Sequence, residues 1–307
     1  MNAMLQEVFY WVFNMSITAA ITGTFVLLIR MVRKIPRRLM VLLWFIPFFR
    51  MAVPLGLNSP YSLMSLLSRV TTKTVVVFQP AEDVSFSIMN SVRAAESYFP
   101  LTYKANLFEQ IFHVASVIWI IVFFAILLTL AGVYFTTLHE MKNAEHLREN
   151  IYLSEKAVTP AVYGIVKPRI ILPTSYADQN AELILIHERV HLRRVDNLWR
   201  VIAILITAAH WFNPLAWVFL KRFLTDLELS CDEWVLMKIG DARAGEYALS
   251  LLESKESVDV FASAFGGARI RSRIENILSF RKMTWFSLTV FLVLMAAMFY
   301  GLLTNAA

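Results

Sequence analysis

The sequence predicts a polytopic α-helical membrane protein of four spans, with an α+β domain inserted between the third and fourth. Three observations carry that prediction. Of 307 residues, 58% are hydrophobic and only 17% are charged, a balance foreign to a chain made solely of soluble domains. Several apolar runs reach the roughly 20 residues that a helix rising about 1.5 Å per residue needs to cross a hydrocarbon core of about 30 Å. Lysines and arginines gather beside those runs, so the net charge of +6 reads as a topology and headgroup signal and not as a nucleic-acid surface.

The spans follow in order. The first runs from about Phe9 to Val32. It lacks a basic leader and is followed by basic residues, so it reads as an uncleaved span. The second covers Leu39 to Leu57 and is interrupted by Arg50, Pro47 and Pro54. The third, Ile111 to Leu138, has the most apolar centre, and the fourth covers Met283 to Leu303. The chain therefore divides into residues 1–57 (two helices), 58–110 (an extracellular loop), 111–138 (the third helix), 139–282 (a cytoplasmic domain) and 283–307 (the fourth helix and a short outside tail).

Orientation comes from the cations. Arg30, Arg33, Lys34, Arg37 and Arg38 lie between the first two spans, and Arg269, Arg271, Arg273, Arg281 and Lys282 lead into the fourth. Residues 58–110 carry only Arg69, Lys73, Arg93 and Lys104, against four acids. The positive-inside rule then places both termini outside and 139–282 in the cytoplasm of a multi-pass cell-membrane protein.

Within that domain His139–Asn150 reads as a polar helical stretch. The runs Ile151–Leu153, Ala161–Tyr163 and Arg169–Leu172, punctuated by Pro160, Gly164, Pro168 and Pro173, read as a small sheet with turns. From Asp178 onward the pattern is helical. Val201–Leu220 is nearly apolar enough to span, but Asn213-Pro214 splits it into a buried helix, a turn and a second helix. Cys231 is the sole cysteine, which excludes an intramolecular disulfide.

The chemistry concentrates at His187-Glu188-Arg189-Val190-His191. Four residues apart on a helix, the two imidazoles share a face one turn apart, as ligands of a single Zn²⁺. Glu188 sits about 100° around the helix, where a carboxylate can take a proton from a water activated at the metal without being a ligand itself. A catalytic zinc takes three protein ligands and keeps one position open. The third ligand is expected from Glu228-Leu-Ser-Cys-Asp-Glu233, in which Glu228 and Asp232 are again four apart. Spacing alone does not choose among Glu228, Asp232 and Glu233. The upstream strands offer an edge on which an extended peptide can be held.

Several motifs in order resemble one known family. They are His187 through Asn197, His210-Trp-Phe-Asn-Pro-Leu-Ala-Trp217, Glu228 through Glu233, the strand–turn–strand stretch Tyr163 to Pro173, and Trp44 to Pro54. Together they look like the membrane metallopeptidases of the BlaR/MecR antirepressor type, over nearly the whole chain. The resemblance implies a gluzincin-like zinc metalloprotease domain with His187, His191 and Glu228 as metal ligands and Glu188 as general base. It also implies that Asp232 and Asp196 support the ligands from behind. Its substrate would be a cytoplasmic protein, in kind a transcriptional repressor, with membrane lipids and a separate sensor protein as further partners and no direct contact with nucleic acid. In that family's best-understood members an extracellular β-lactam-sensing domain follows the fourth span. This sequence stops at Ala307, so a direct β-lactam sensor is not expected. Two rival readings are a membrane quality-control protease of the same zinc class, and a non-proteolytic transducer that uses the zinc domain for docking.

Other residues carry plainer expectations. Arg50 couples spans, binds lipid or snorkels from the outer end of its helix. His113, His139 and His146 have no ligand spacing, and His210 reads as helix-end packing. Ser279-Phe-Arg-Lys282 lacks the partner motifs of a penicillin-binding site. Ala262–Gly267 is small-residue-rich, and the family resemblance suggests a loop open to self-cleavage.

Overall fold

A computed structural model describes residues 2–32, 35–53, 58–59, 62, 105–176, 181–253, 270–280 and 285–306. Most of the expected 58–110 loop, the 262–267 stretch and Lys282 lie outside the described residues.

Among the described residues two helices are long and apolar enough to cross a membrane: α1 (Asn2–Arg30), within Met4–Arg30, and α3 (Ala105–Glu140), within Ile111–Glu140. Half of the apolar window of α1 is buried against protein but only 11% of that of α3. Ile121, Phe124 and Leu128 of α3 point outward accordingly, as side chains facing lipid would. Between them α2 (Arg37–Ala52) is shorter than the sequence suggests. Its 16 residues reach only about 24 Å at about 1.5 Å per residue. The cause is local: Val53 precedes Pro54, which disfavours helical backbone, and Val53 is extended at φ −116°, ψ 114°. The last helix of the set, α9 (Trp285–Leu303), begins close to the expected position.

A short parallel pair follows α2 and α9. Strand β1 (Asn58–Ser59) pairs with β6 (Asn305–Ala306). Beneath it Arg50 is fully buried, donating from Nε to the Leu302 carbonyl at 2.8 Å and from its terminal nitrogen to the Thr304 carbonyl. Ser62 Oγ donates to the same Thr304 carbonyl at 2.6 Å. The arginine thus caps the C-terminal end of α9, where carbonyls lack intrahelical partners.

The 139–150 stretch differs from its helical expectation. After Glu140 the chain turns and forms β2 (Glu145–Arg148), which pairs antiparallel with β3 (Ile151–Ser154). Glu149, at φ +47°, makes the reversal. All four β2 residues are exposed, so the strand has no sided pattern to betray it, and cross-strand pairing decides. Strands β4 (Ala161–Tyr163) and β5 (Arg169–Pro173) complete a sheet of order β2-β3-β5-β4, with β3 and β5 parallel. Between β4 and β5, Gly164 adopts φ +89°, and a Cβ there would crowd the Lys167 carbonyl at 3.2 Å.

The helical half consists of α4 (Glu182–Arg194), α5 (Asp196–Ala209), α6 (Pro214–Ile239), α7 (Ala244–Glu253) and α8 (Ile270–Leu278). Ala181 and Leu185 pack on Ile151, Ile170 and Leu172 of the sheet. The 210–213 break is built as the sequence suggests. Asn213 accepts from the Leu215 N–H at 2.9 Å as the N-cap, with Pro214 in the first turn. His210 is buried at the end of α5, donating to the Met51 carbonyl at 3.0 Å. The central core joins α1, α2 and α6 through Ala19, Val26, Met40, Leu43, Trp44 and Phe219. Gly23 of α1 lies directly on the Phe219 ring, where a Cβ would come within 2.3 Å.

Candidate metal centre

Leu183 packs toward α6 and α7 and Leu185 toward the sheet, so the face of α4 between them, with Ile184, His187, Glu188 and His191, is held buried. The two Nε2 atoms are 3.0 Å apart and the rings nearly perpendicular, at 88°. From α6, Glu228 brings Oε2 to 3.8 Å from His187 Nε2 and 3.7 Å from His191 Nε2. Three donors about 2.0–2.1 Å from a tetrahedral ion would be about 3.3 Å apart, so this set converges at metal-binding scale.

The groups behind the rings decide which nitrogens face forward. Asp196 Oδ2 is 2.6 Å from His191 Nδ1. Tyr247 of α7 donates its hydroxyl to Asp232 Oδ1 at 2.7 Å and lies 2.8 Å from His187 Nδ1. A hydroxyl already donating to a carboxylate accepts from Nδ1–H, as Asp196 does from the other ring. The two Nε2 atoms are therefore turned toward each other. At 3.0 Å they share a proton in the metal-free protein, where burial is outweighed by Cys231, Glu228 and Asp196, which hold His191 protonated. A cation could take that proton's place, and with Glu228 alongside the donor chemistry suits zinc.

Cys231 also lies near: its sulfur and one atom from each histidine fall within 4.8 Å of one another. The thiol, however, contacts His187 at Nδ1, 3.5 Å away, on the far side of the ring from Nε2. Burial pushes it up to about 11, so in the metal-free protein it is a neutral thiol. Glu228 differs in charge. Burial favours its neutral form, but Arg200 and His191 outweigh that and hold it ionised, well below the usual carboxylate range. Glu188 shows the opposite balance, with burial pushing it up to about 7. A dication at the histidines would draw it back down.

Asp196, Glu228 and Asp232 are each matched to an arginine. Arg194 lies 3.3 Å from Asp196, Arg200 bonds Glu228 Oε1, and Arg273 of α8 grips Asp232 with Nε at 3.0 Å and a terminal nitrogen at 2.8 Å. That same terminal nitrogen is 3.3 Å from His187 Nε2. Arg200, Tyr247 and Arg273 escaped the sequence reading as site residues. Arg200 leaves one signal, four residues after Asp196 and so on the same helix face; Tyr247 leaves none.

Glu233 points away from the metal-facing atoms. Its two oxygens accept from the backbone N–H groups of Arg37 and Arg38 at 2.8 and 3.2 Å, capping α2. Two turns earlier, Asp226 is fully buried and takes Arg30 Nε and Trp44 Nε1, each at 2.8 Å, with Arg37 3.6 Å away. Of the sheet edges, β4 lies beside α4. The Asn197 side-chain amide bonds the Val162 and Gly164 carbonyls of that edge at 2.7 and 3.2 Å, so an added strand there would meet a partly satisfied edge.

A family model described as BlaR1 peptidase M56 matches residues 10–277. Among curated proteins, "Regulatory protein BlaR1" of Bacillus licheniformis is 28% identical over 155 residues, covering 47% of this chain and 26% of that protein. "Methicillin resistance mecR1 protein" of Staphylococcus aureus (strain Mu50 / ATCC 700699) is 30% identical over 138 residues, 41% of this chain and 24% of that protein. "Regulatory protein BlaR1" of Staphylococcus aureus is 23% identical over 240 residues, 68% of this chain. The matches span 24% to 41% of these relatives' lengths.

Proposed function

The chain belongs to the BlaR1 peptidase M56 family, and on that premise we propose that it is a membrane-embedded zinc metalloendopeptidase that cleaves a cytoplasmic regulatory protein. The observation that carries the reading is the convergence of His187 Nε2, His191 Nε2 and Glu228 Oε2, within 3.0–3.8 Å of one another, beside the buried carboxyl of Glu188. His187, His191 and Glu228 would hold the metal in a gluzincin-like arrangement, with Asp196 and Asp232 supporting the imidazoles from behind.

Bound there, zinc would supply the Lewis acidity that polarises a peptide carbonyl and a water molecule. Glu188 accepts the water's proton as the C–O bond forms and returns it to the departing amine as the C–N bond breaks. Burial helps, since a carboxylate kept out of water is a stronger base than one in solution. Asp196 and the Tyr247–Asp232 pair keep the imidazoles in the tautomer that faces forward.

The proposed frame is a four-span, multi-pass cell-membrane protein with both termini outside. In it residues 1–57 form the first two helices, 58–110 an outside loop, 111–138 the third helix, 139–282 the cytoplasmic protease domain and 283–307 the fourth helix. The regulatory-protein names of the relatives support a signalling role, and a transcriptional repressor is the kind of substrate such a role calls for.

The test is zinc content and peptide hydrolysis of the purified protein, on casein and on a mixed peptide library, beside Glu188→Ala and Glu228→Ala. About one zinc per chain, lost in Glu228→Ala and kept in Glu188→Ala, with cleavage by the wild type alone, is the expected result. Cleavage undiminished in Glu188→Ala, or a wild type that takes up no zinc, would overturn the reading.

A further inference from the structure

We infer that Arg200 is a positioning residue for the metal: by occupying Glu228 Oε1 it leaves Oε2 as the single oxygen offered to the ion, and so keeps a coordination position open. The inference rests on the metal reading of the site. Its geometry is already drawn. Glu228 Oε2 faces both imidazoles, at 3.8 and 3.7 Å, while Oε1 is bonded by a terminal nitrogen of Arg200. Both side chains are mostly buried, 33% and 15% exposed. A charge-assisted bond in that setting is strong and directional.

The source of Arg200 adds weight. It lies on α5 four residues after Asp196, on the same face, and Asp196 steadies His191 at 2.6 Å. One helix face therefore steadies two of the three donors from behind, His191 through Asp196 and Glu228 through Arg200. A carboxylate without such a partner can swing to bind through both oxygens, which fills the position that hydrolysis needs for water. The arginine also offsets the charge of Glu228, so the carboxylate donates less to the ion, whose acidity toward water is correspondingly greater.

A purely structural role, tying α5 to α6 through a neutralised carboxylate, would change stability without changing coordination. Cobalt(II), a spectroscopic stand-in for zinc, separates the two, because its visible bands weaken as coordination rises from four to five. The full-length protein in detergent is compared with Arg200→Gln and Arg200→Lys, by zinc affinity in chelator competition and by the cobalt spectrum. Arg200→Gln should bind zinc about 10–100-fold more weakly and give the weaker bands, and Arg200→Lys should recover much of both. Should Arg200→Gln fail to fold, Arg200→Met, which keeps side-chain length without the charge, is read in its place: weaker bands support the inference, and bands identical to wild type overturn it. Wild-type affinity and bands in Arg200→Gln, or weaker affinity with unchanged bands, overturn this inference alone. A wild type that binds neither ion overturns the metal reading and this inference with it.

Discussion

Asp226 and Glu228 lie two residues apart on α6 and face nearly opposite sides of it, Asp226 toward Arg30 and Trp44 of the first two helices and Glu228 toward the imidazoles. One helix therefore carries both the anchor to the first two helices and the proposed third ligand. Glu233 repeats the pattern by capping α2 while its neighbour Asp232 braces the site through Tyr247.

Replacing Asp226 with Ala should leave Arg30 and Arg37 facing a buried gap with no counter-charge. Loss of one partner of a buried pair costs about 3–5 kcal/mol. A clearly lowered melting temperature of the detergent-solubilised protein is expected, with weakened zinc binding. Unaltered melting would mean that α6 does not depend on this anchor.

Tyr247→Phe keeps the buried ring and removes only the hydroxyl between His187 and Asp232. Losing such a supporting partner typically weakens metal binding about tenfold or more. Chelator competition measures it, and equal affinities in the two proteins would remove Tyr247 from the site.

Cys231 should be dispensable for metal. With its thiol pushed up to about 11, roughly one molecule in a thousand is thiolate at pH 8, so iodoacetamide should modify the folded protein very slowly. Cys231→Ala should bind zinc as the wild type does. A large loss of zinc in that variant would exchange the roles of Cys231 and Glu228.

Glu188 gives the metal-free protein a pH dependence of defined sign. Its carboxyl is raised from 4.5 to about 7 in the folded state by burial. Between those values the folded protein keeps a proton that the unfolded chain has released, so stability is full below about pH 4.5 and falls as pH rises through about 7. The loss is on the order of 3 kcal/mol. Thermal melts of metal-stripped Glu188→Gln between pH 5 and 8 should show a flatter profile than the wild type; identical slopes would assign the effect elsewhere.

The parts of this architecture that were legible in the sequence share one property: they are local. His187 and His191, Glu228 and Asp232, and Asn213 with Pro214 declare themselves by spacing along one helix or at one helix start. Arg200, Tyr247 and Arg273 reach the site from separate helices, and their residue types read naturally as something else. Arg273 looked like a topology cation ahead of the last span, and Arg30 and Arg37 like cations between the first two. In the fold all three also neutralise buried carboxylates. The β2 hairpin was missed for a related reason. A strand exposed on both faces has no periodicity, and only its partner β3 defines it.

Gly23 and Phe219 touch with no room between them, and this contact binds the history of the two positions together. A side chain can be accepted at 23 only where the residue at 219 has already given up its ring, and once a bulky residue is fixed at 23 the ring cannot return. As relatives diverge, these two sites on distant stretches of chain should change as a pair, leaving a correlated trace of where the first helix crosses the helix that carries Glu228.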